Sequence, residues 1–245
     1  MLRGTRFSVP RPGSSGRMFV SAASRAGRMR PPRDWSLYLV TDRRLASPRS
    51  LDDLVRAALR GGVTAVQLRE KGCPTRDFVD LARALKAILA PAGVPLVVND
   101  RVDVALAACA DGVHIGQSDM EYGDARRLLG PDAIIGLSVE SPEQAERAAS
   151  FDVDYLGVSP VFPTPTKTDA APAWGIEGLA ALRRASRHTL VAIGGIRQEN
   201  TGAVIRAGAD GIAVVSAICA ADEPEAAAAE LDRIILAARA EGRRR

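Results

Sequence analysis

Eight short runs rich in Val, Ile and Leu recur along the chain after residue 34, and longer Ala-, Leu- and Arg-rich segments of helical period separate them. Strands that alternate with helices predict a parallel sheet, and a nearly continuous apolar run indicates a strand buried on both faces. The predicted strands cover residues 37–41, 65–70, 95–100, 112–116, 134–139, 155–160, 190–195 and 211–216.

Eight such units in about 210 residues are typical of one compact (β/α)8 TIM barrel, the α/β fold that we predict for residues 34–245. A doubly wound open sheet is the alternative. No G-x-G-x-x-G fingerprint follows the first predicted strand, which weighs against the open sheet. Four joints resemble one another and indicate weak repetition of a βα unit: "GGVTAVQL", "CADGVHI", "FDVDYLGV" and "AGADGIAVV".

Residues 1–33 differ from the rest in composition, because they carry eight Arg and no acidic residue. We predict a disordered extension outside the fold; an organellar transit peptide is the alternative, since it has the same composition. Of the 33 basic residues in the chain, 25 remain once those eight are set aside, against 29 acidic residues. The body is therefore mildly acidic, and we expect no nucleic-acid partner.

Further features of the composition indicate a cytoplasmic protein. No run approaches the roughly 20 apolar residues that cross a bilayer, so we expect no membrane partner. The three cysteines, Cys73, Cys109 and Cys219, form neither a zinc pattern nor a disulfide framework, which fits a reducing compartment. The sequence is compatible with a homo-oligomer.

Polar side chains collect where the predicted strands end, and active sites of TIM barrels lie at the carboxyl ends of the strands. Because side chains in a strand alternate between faces, Gln67, Arg69 and Lys71 share the face that points into the barrel mouth. Leu68 and Glu70 share the face toward the helices, with Glu70 near solvent. These three inward residues predict a row of side chains with two positive charges, Arg69 and Lys71, facing the mouth. A solvated strand end is the alternative.

Two carboxylates are expected to meet over the same mouth. Asn99 and Asp100 end the third predicted strand, Asp119 follows the fourth, and Ser138 lies on the fifth. Two carboxylates with phosphate oxygens and water are a typical Mg²⁺ arrangement. Two facing acids can instead share a proton and act as acid and base, and Asp100 can simply cap a following helix. The neighbouring cations favour a polyphosphate, and hence the metal.

A second anion site is predicted from the loop "PTPTKT" at residues 163–168. Its prolines stiffen the backbone, so that N–H groups, the hydroxyls of Thr164 and Thr166, and the charge of Lys167 can bind phosphate. An ordinary Pro/Thr turn is the alternative. Residues 194–195 and 214–216 end strands seven and eight, where these barrels often bind phosphate.

The two histidines, His114 and His188, form no recognisable Ser-His-Asp or Cys-His arrangement. His114 lies inside a predicted strand, so we expect a packed, hydrogen-bonded strand residue rather than a catalytic one. The mouth therefore offers two anion sites, which two phosphorylated substrates or one bisphosphate would occupy.

The ordered motifs "QLREKG", "VND", "GVHIGQSD", "GLSV", "PVFPTPTKTDA", "AIGGI" and "AGADGIAVVSAI" together resemble the thiamine-phosphate synthase family. The resemblance covers roughly residues 37–240, but not the Arg-rich head. It implies a (β/α)8 barrel that joins 4-amino-2-methyl-5-pyrimidinylmethyl diphosphate to 4-methyl-5-(2-phosphoethyl)thiazole. The products would be thiamine phosphate and pyrophosphate.

The resemblance also implies roles for individual residues. Residues that would bind the pyrimidine diphosphate are Gln67, Leu68, Arg69, Glu70, Lys71, Asn99, Ser138 and Lys167. Of these, the catalytic ones would be Arg69, Lys71, Lys167 and Ser138. Residues that would bind the thiazole phosphate are Thr164, Pro165, Thr166, Gly195, Val215 and Ser216. Asp100 and Asp119 would bind the Mg²⁺ cofactor.

The implied mechanism is dissociative, because the aminopyrimidine can delocalise positive charge while pyrophosphate leaves. The thiazole nitrogen then captures the carbocation, which explains why no strong base or nucleophile is recognisable. A related thiazole tautomerase should lack the full diphosphate and metal set. A sugar-phosphate epimerase would need two residues that act as general bases, or a cluster of histidines that binds a metal. A silent barrel that binds thiamine precursors is the non-enzymatic alternative.

Overall fold

Eight parallel strands close into a barrel in chain order, with the last strand paired to the first. The computed structural model describes residues 33–164 and 172–242. The predicted barrel is confirmed, although every strand except the fifth ends one or two residues before the predicted run does. The strands are β1 Leu37–Val40, β2 Ala65–Leu68, β3 Leu96–Asn99, β4 Gly112–Ile115, β5 Ile134–Val139, β6 Tyr155–Val158, β7 Leu190–Ile193 and β8 Gly211–Val214.

Helices connect the strands. They are α1 Arg43–Ala46, α2 Leu51–Arg60, α3 Thr75–Leu89, α4 Val102–Ala107, α5 Tyr122–Leu129, α6 Pro142–Ala148, α7 Gly175–Ala185, α8 Gln198–Arg206, α9 Ser216–Cys219 and α10 Pro224–Gly242, with a 3-10 turn at Ala90–Ala92. Ser50 and Ser141 cap α2 and α6, and each side chain accepts a hydrogen bond from the backbone N–H three residues on. Within the described residues, no helix is long and apolar enough to cross a membrane.

Strand alternation divides the apolar residues into two layers. Leu37, Leu39 and their counterparts on the other strands pack outward against the helices. A smaller cluster fills the lower half of the barrel interior, where Trp35, Tyr38 and Tyr155 lie with ring centroids 4.4–5.7 Å apart. Aromatic residues are only 4% of the chain, and these three form a group below the mouth, called here the aromatic plug.

The four similar joints precede the even-numbered strands and have one structural role. Each supplies a side-chain oxygen that accepts the N–H of a residue at the start of the preceding odd strand. The pairs are Thr64 with Leu37 (3.1 Å), Asp111 with Leu96 (2.8 Å), Asp154 with Ile135 (2.8 Å) and Asp210 with Leu190 (2.8 Å). The repetition in sequence thus reflects a repeated lock between strand pairs at the amino end of the barrel.

Candidate active site

A cavity of about 650 Å³ opens at the carboxyl ends of the strands, above the aromatic plug. Side chains or backbone from all eight strands and the loops after them line it. The structure brings into this cavity most of the site residues predicted from the sequence, namely Gln67, Arg69, Lys71, Asn99, Asp100, Asp119, Ser138, Thr164, Gly195, Val215 and Ser216. Pro165, Thr166 and Lys167 lie outside the described residues.

The cationic side of the cavity follows β2. This strand ends at Leu68, so Arg69 and Lys71 belong to the loop, yet the alternation of faces continues through it. The Arg69 N–H donates to the Thr41 hydroxyl (3.1 Å), which ties the loop to the end of β1. Both cationic side chains therefore face the cavity from a loop that this hydrogen bond holds in place.

Two predicted ligand residues do not place their side chains in the cavity. Leu68 is fully buried in the layer between barrel and helices. The Glu70 side chain is only 7% exposed and accepts a hydrogen bond from Arg43 Nη2 (2.6 Å). Because the alternation of faces turns both side chains outward, the expected role of these two residues in binding the pyrimidine diphosphate stays a prediction.

Asp100 and Asp119 meet at the mouth beside the cations. Asp100 has a left-handed backbone (φ 63°), and its N–H donates to the His114 carbonyl oxygen (2.8 Å). Asp119 accepts the Gly116 N–H (2.7 Å). Burial, and then the hydrogen bond and charge of Asp119, raise the pKa of Asp100 to about 6, against the opposing charges of Lys71 and Arg69.

The chemistry of this acid pair fits Mg²⁺. Two carboxylates that repel each other at an open cavity supply hard oxygen ligands, and a phosphorylated substrate and water can complete the octahedron. Among the described residues, no group of three or more His, Cys, Asp or Glu gathers into a metal-binding cluster. Asp100 and Asp119 are thus compatible with a Mg²⁺ ion that shares its coordination with substrate.

The opposite side of the cavity is built around two glycines. Gly194 (φ 99°) and Gly195 (φ 64°) follow β7, and a Cβ atom on Gly195 would come within 2.7 Å of the Phe162 Cβ. Residues 161–163 can lie against the glycines for that reason, with the Phe162 N–H donating to the Gly194 carbonyl oxygen (3.0 Å). This packing places Thr164 on the cavity wall.

A chain of hydrogen bonds crosses the cavity floor. Gln67 Nε2 donates to the Tyr38 hydroxyl (3.2 Å), which lies 2.9 Å from the Tyr155 hydroxyl. That hydroxyl is 2.9 Å from His114 Nδ1, and His114 Nε2 is 2.8 Å from the Ser138 hydroxyl oxygen. His114 is a hydrogen-bonded strand residue, as predicted, but it also lines the cavity.

The comparisons with known proteins agree with this geometry. The family model for thiamine monophosphate synthase matches residues 37–218. A thiamine-phosphate synthase from Albidiferax ferrireducens is 60% identical over 199 residues, 81% of this chain and 91% of that protein. One from Syntrophomonas wolfei is 53% identical over 201 residues, 82% and 96% of the two chains.

The chain belongs to the thiamine monophosphate synthase family. Membership makes it a transferase, an enzyme of thiamine biosynthesis. The solved structure of thiamine phosphate pyrophosphorylase from Pyrococcus furiosus superposes with a TM-score of 0.78 at 40% identity, covering 84% of this chain and 98% of that one.

Three residues of this family member that the sequence analysis did not single out contribute at or beside the site. Tyr38 and Tyr155 line the cavity and contact each other across 117 positions, and Arg43 contacts Glu70 across 27 positions beside it. Neither contact has a local sequence signal, because the first depends on the barrel bringing β1 and β6 together and the second on the pairing of β1 with β2. The glycines of β5 and β6 offer a partial signal, since a Cβ on Gly136 would meet the Tyr155 ring and a Cβ on Gly157 would meet the His114 ring.

Proposed function

We propose that this enzyme condenses 4-amino-2-methyl-5-pyrimidinylmethyl diphosphate with 4-methyl-5-(2-phosphoethyl)thiazole. The bond between the pyrimidinylmethyl carbon and the diphosphate oxygen breaks first, and both electrons leave with pyrophosphate. The thiazole nitrogen then uses its lone pair to form the new C–N bond. Thiamine phosphate and pyrophosphate are the products, and no proton has to be removed.

One observation supports the proposal most strongly: two sides of a single cavity each have groups that can bind an anion. Arg69 and Lys71 follow β2, and β6, β7 and β8 supply Thr164, Gly195 and Ser216 to the wall. In a closed eight-stranded barrel, β2 lies across the mouth from β6. A diphosphate on the first side and a monophosphate on the second would hold the reacting carbon and nitrogen between them.

The cationic side is suited to a leaving pyrophosphate. Arg69 can donate two parallel hydrogen bonds to a phosphate group, and Lys71 adds a mobile point charge. Asp100 and Asp119 would hold Mg²⁺, which when bound supplies charge neutralisation at the diphosphate oxygens. These groups stabilise charge that develops as the bond breaks, so they lower the barrier without a nucleophile or base.

The remaining polar groups of the cavity position the substrates. Gln67 is 5% exposed and Asn99 is 8% exposed, so their amides lie deep in the mouth, where a flat heteroaromatic ring would displace water. Ser138 also lines this cavity. On the other side, Thr164 and the backbone near Gly195 and Ser216 would hold the thiazole phosphate, with Thr166 and Lys167 proposed to complete the two anion sites.

The decisive experiment follows both products from both substrates with and without Mg²⁺. We expect equimolar thiamine phosphate and pyrophosphate, lost on chelation and reduced at least about 100-fold in Asp100→Asn. Asp103→Asn is the matched control, because this carboxylate lies on α4, is 60% exposed and does not line the cavity. Folded protein that binds the thiazole phosphate but makes no product would contradict the proposal.

A thiazole tautomerase is the nearest alternative function. It would need neither the cationic side nor the acid pair, and the presence of both in one cavity favours the synthase. Isomerisation of the thiazole phosphate without diphosphate substrate would support the alternative. We also propose a cytoplasmic location, because the three cysteines are free and the two sequence relatives compared, from Albidiferax ferrireducens and Syntrophomonas wolfei, are bacterial.

A further inference from the structure

Burial of the two tyrosine hydroxyls restricts the direction that the hydrogen-bond chain on the cavity floor can take. Tyr38 accepts from Gln67 Nε2, and it is 1% exposed, so the Tyr155 oxygen is the acceptor within reach of its own proton. Tyr155, also 1% exposed, then has His114 Nδ1 as the acceptor for its proton. Because a buried hydroxyl that donates to nothing is costly, these two donations orient the whole chain.

The direction of the chain determines which nitrogen of His114 carries the proton. A neutral imidazole that accepts at Nδ1 must donate at Nε2. Among the residues that the structure describes, the Ser138 hydroxyl oxygen lies 2.8 Å from Nε2. Ser138 therefore accepts from His114, and its own O–H remains to donate toward the cavity that Ser138 lines.

Packing holds the two rings in this arrangement. The Tyr155 and His114 rings stack with centroids 5.5 Å apart and an interplanar angle of 18°. Gly157 leaves room for the imidazole, since a Cβ there would lie 2.9 Å from His114 Cε1. Burial raises the pKa of both tyrosine hydroxyls, so each remains a protonated donor over the working range of the enzyme.

We propose that His114 is a positioning residue whose Nε2–H tautomer, selected by the hydroxyl of Tyr155, turns the Ser138 hydroxyl proton toward an oxygen of the phosphorylated substrate. The inference rests on the proposed function and deepens it. It explains how Ser138 can act as a directed donor, whereas a lone serine would rotate between several partners. His114 itself acts through Ser138 and needs no contact with the substrate.

The tautomer is measurable in the free protein, because the chain contains only two histidines. Two-bond ¹H–¹⁵N spectra of histidine-labelled protein should show neutral His114 protonated at Nε2. His188→Gln assigns the second ring, whose Nε2 lies 3.1 Å from the Ala148 carbonyl oxygen. A ring protonated at Nδ1 would overturn the inference.

Two tyrosine variants test what selects the tautomer. Tyr155→Phe removes the donor to Nδ1, so the two neutral tautomers should become mixed. Tyr38→Phe is the matched control, because Tyr155 keeps its proton and its acceptor, and His114 should stay protonated at Nε2. Identical spectra for the two variants would overturn the inference.

Kinetics test the effect on Ser138. His114→Leu should lower kcat about tenfold, the effect of one lost hydrogen bond in the transition state, with little change in KM. His114→Gln, which retains an N–H donor near the Nε2 position, should recover most of the loss. In a Ser138→Ala background, His114→Leu should have almost no further effect. An undiminished effect there would show a purely structural role.

The two proposals fail in different ways. Turnover by a wild type whose His114 is protonated at Nδ1 would overturn this inference and leave the synthase activity intact. Absence of turnover from a wild type with the expected tautomer would overturn the proposed function, and with it the role assigned to His114 in the reaction.

Discussion

The two ends of the barrel differ in how their charged side chains are paired. At the amino ends of the strands, three acids of the repeated joints accept a backbone N–H of the preceding odd strand, and each also lies near a cation of the helix before that odd strand. The ion pairs are Lys86–Asp111 (2.6 Å), Arg126–Asp154 (3.6 Å) and Arg183–Asp210 (2.9 Å). These groups satisfy one another within the fold.

The carboxyl ends of the strands show the opposite arrangement. Asp100 faces another carboxylate, that of Asp119, and its pKa is raised as a result of burial and this neighbour. Within the described ranges, neither Arg69 nor Lys71 has a carboxylate within 4 Å. Charges that lack an ion-pair partner among the described residues are available to a ligand.

This difference shows that the amino end of the barrel contributes to stability, whereas the carboxyl end is suited to binding a ligand. Completed pairs at the amino end hold strands and helices together. Incomplete charge at the carboxyl end costs stability, and a phosphorylated substrate with its cation would offset that cost. Substitutions at the first end should change unfolding, and those at the second should change catalysis.

The largest expected effect concerns Arg126, which is 5% exposed. Its guanidinium donates to the carbonyl oxygens of Ala133 (2.6 Å) and Asp152 (3.0 Å) and lies beside buried Asp154. Arg126→Met should lower the free energy of unfolding by about 3–5 kcal/mol, because it removes the cation beside a buried carboxylate and the donor to two carbonyl oxygens. Urea midpoints at constant m-value measure the loss.

Arg127→Met is the matched control for that substitution. Arg127 is adjacent in α5, but it is 72% exposed and pairs with Asp124 on the surface. Its removal should change the free energy of unfolding by less than about 0.5 kcal/mol. Equal midpoints for the two variants would refute the importance of buried pairing at the amino end.

Two lysines offer a reciprocal test of the comparison. Lys71→Ala should lower kcat/KM about 100-fold, because it removes a cation from the developing pyrophosphate, and leave the melting temperature unchanged. Lys86→Ala at the other end should cost about 1 kcal/mol of stability through its partly exposed pair with Asp111 and leave kcat/KM unchanged. Similar losses of activity in both variants would break the distinction between the ends.

A smaller effect is expected from Glu70, whose bond to Arg43 anchors the loop that carries the cations. Glu70→Gln weakens a charge-assisted hydrogen bond worth about 1.5 kcal/mol, so KM for the diphosphate should rise about tenfold while kcat changes less. Arg44→Ala is the control, since Arg44 is exposed in the same short helix. An unchanged KM in Glu70→Gln would show that the loop holds its position without this pair.

The smallest effect concerns pH. Because folding raises the pKa of Asp100 to about 6, the metal-free folded protein binds more protons than the unfolded chain between about pH 4 and 6. Ionisation of this carboxyl therefore lowers the free energy of unfolding of the wild type as the pH rises through that window. Asp100→Asn has no carboxyl to ionise at this position and does not lose this stability. The melting temperature of the variant minus that of the wild type should grow by about 2–4 °C from pH 4 to 6 in EDTA, after allowance for solvent screening.

Asp103→Asn serves as the reference for this pH series. Its carboxyl is exposed, and Arg101 holds its pKa below the usual value, so it should show no growing difference over the same window. A difference for Asp100→Asn that stays flat or shrinks between pH 4 and 6 would mean that the acid pair is not strained.

Much of the candidate site was predictable because strands impose alternation. Arg69 and Lys71 were expected in the mouth and line it, although the strand itself stops at Leu68. The roles given to Leu68 and Glu70 came from the family resemblance instead, and their side chains face away from the cavity. The roles expected of Pro165, Thr166 and Lys167 fall outside the described residues and stay predictions.

Local sequence determined the number and order of the strands, the position of polar residues at their carboxyl ends, and the repeated joints at their amino ends. Each of these depends on hydrophobic period or on a residue beside its own strand. Only the tertiary structure decided that Tyr38, Tyr155, His114 and Ser138 form one hydrogen-bonded chain, and that Arg43 pairs with Glu70. Closure of the barrel brings together side chains from strands far apart in sequence, and hydrogen-bond direction depends on which donors and acceptors are left buried there.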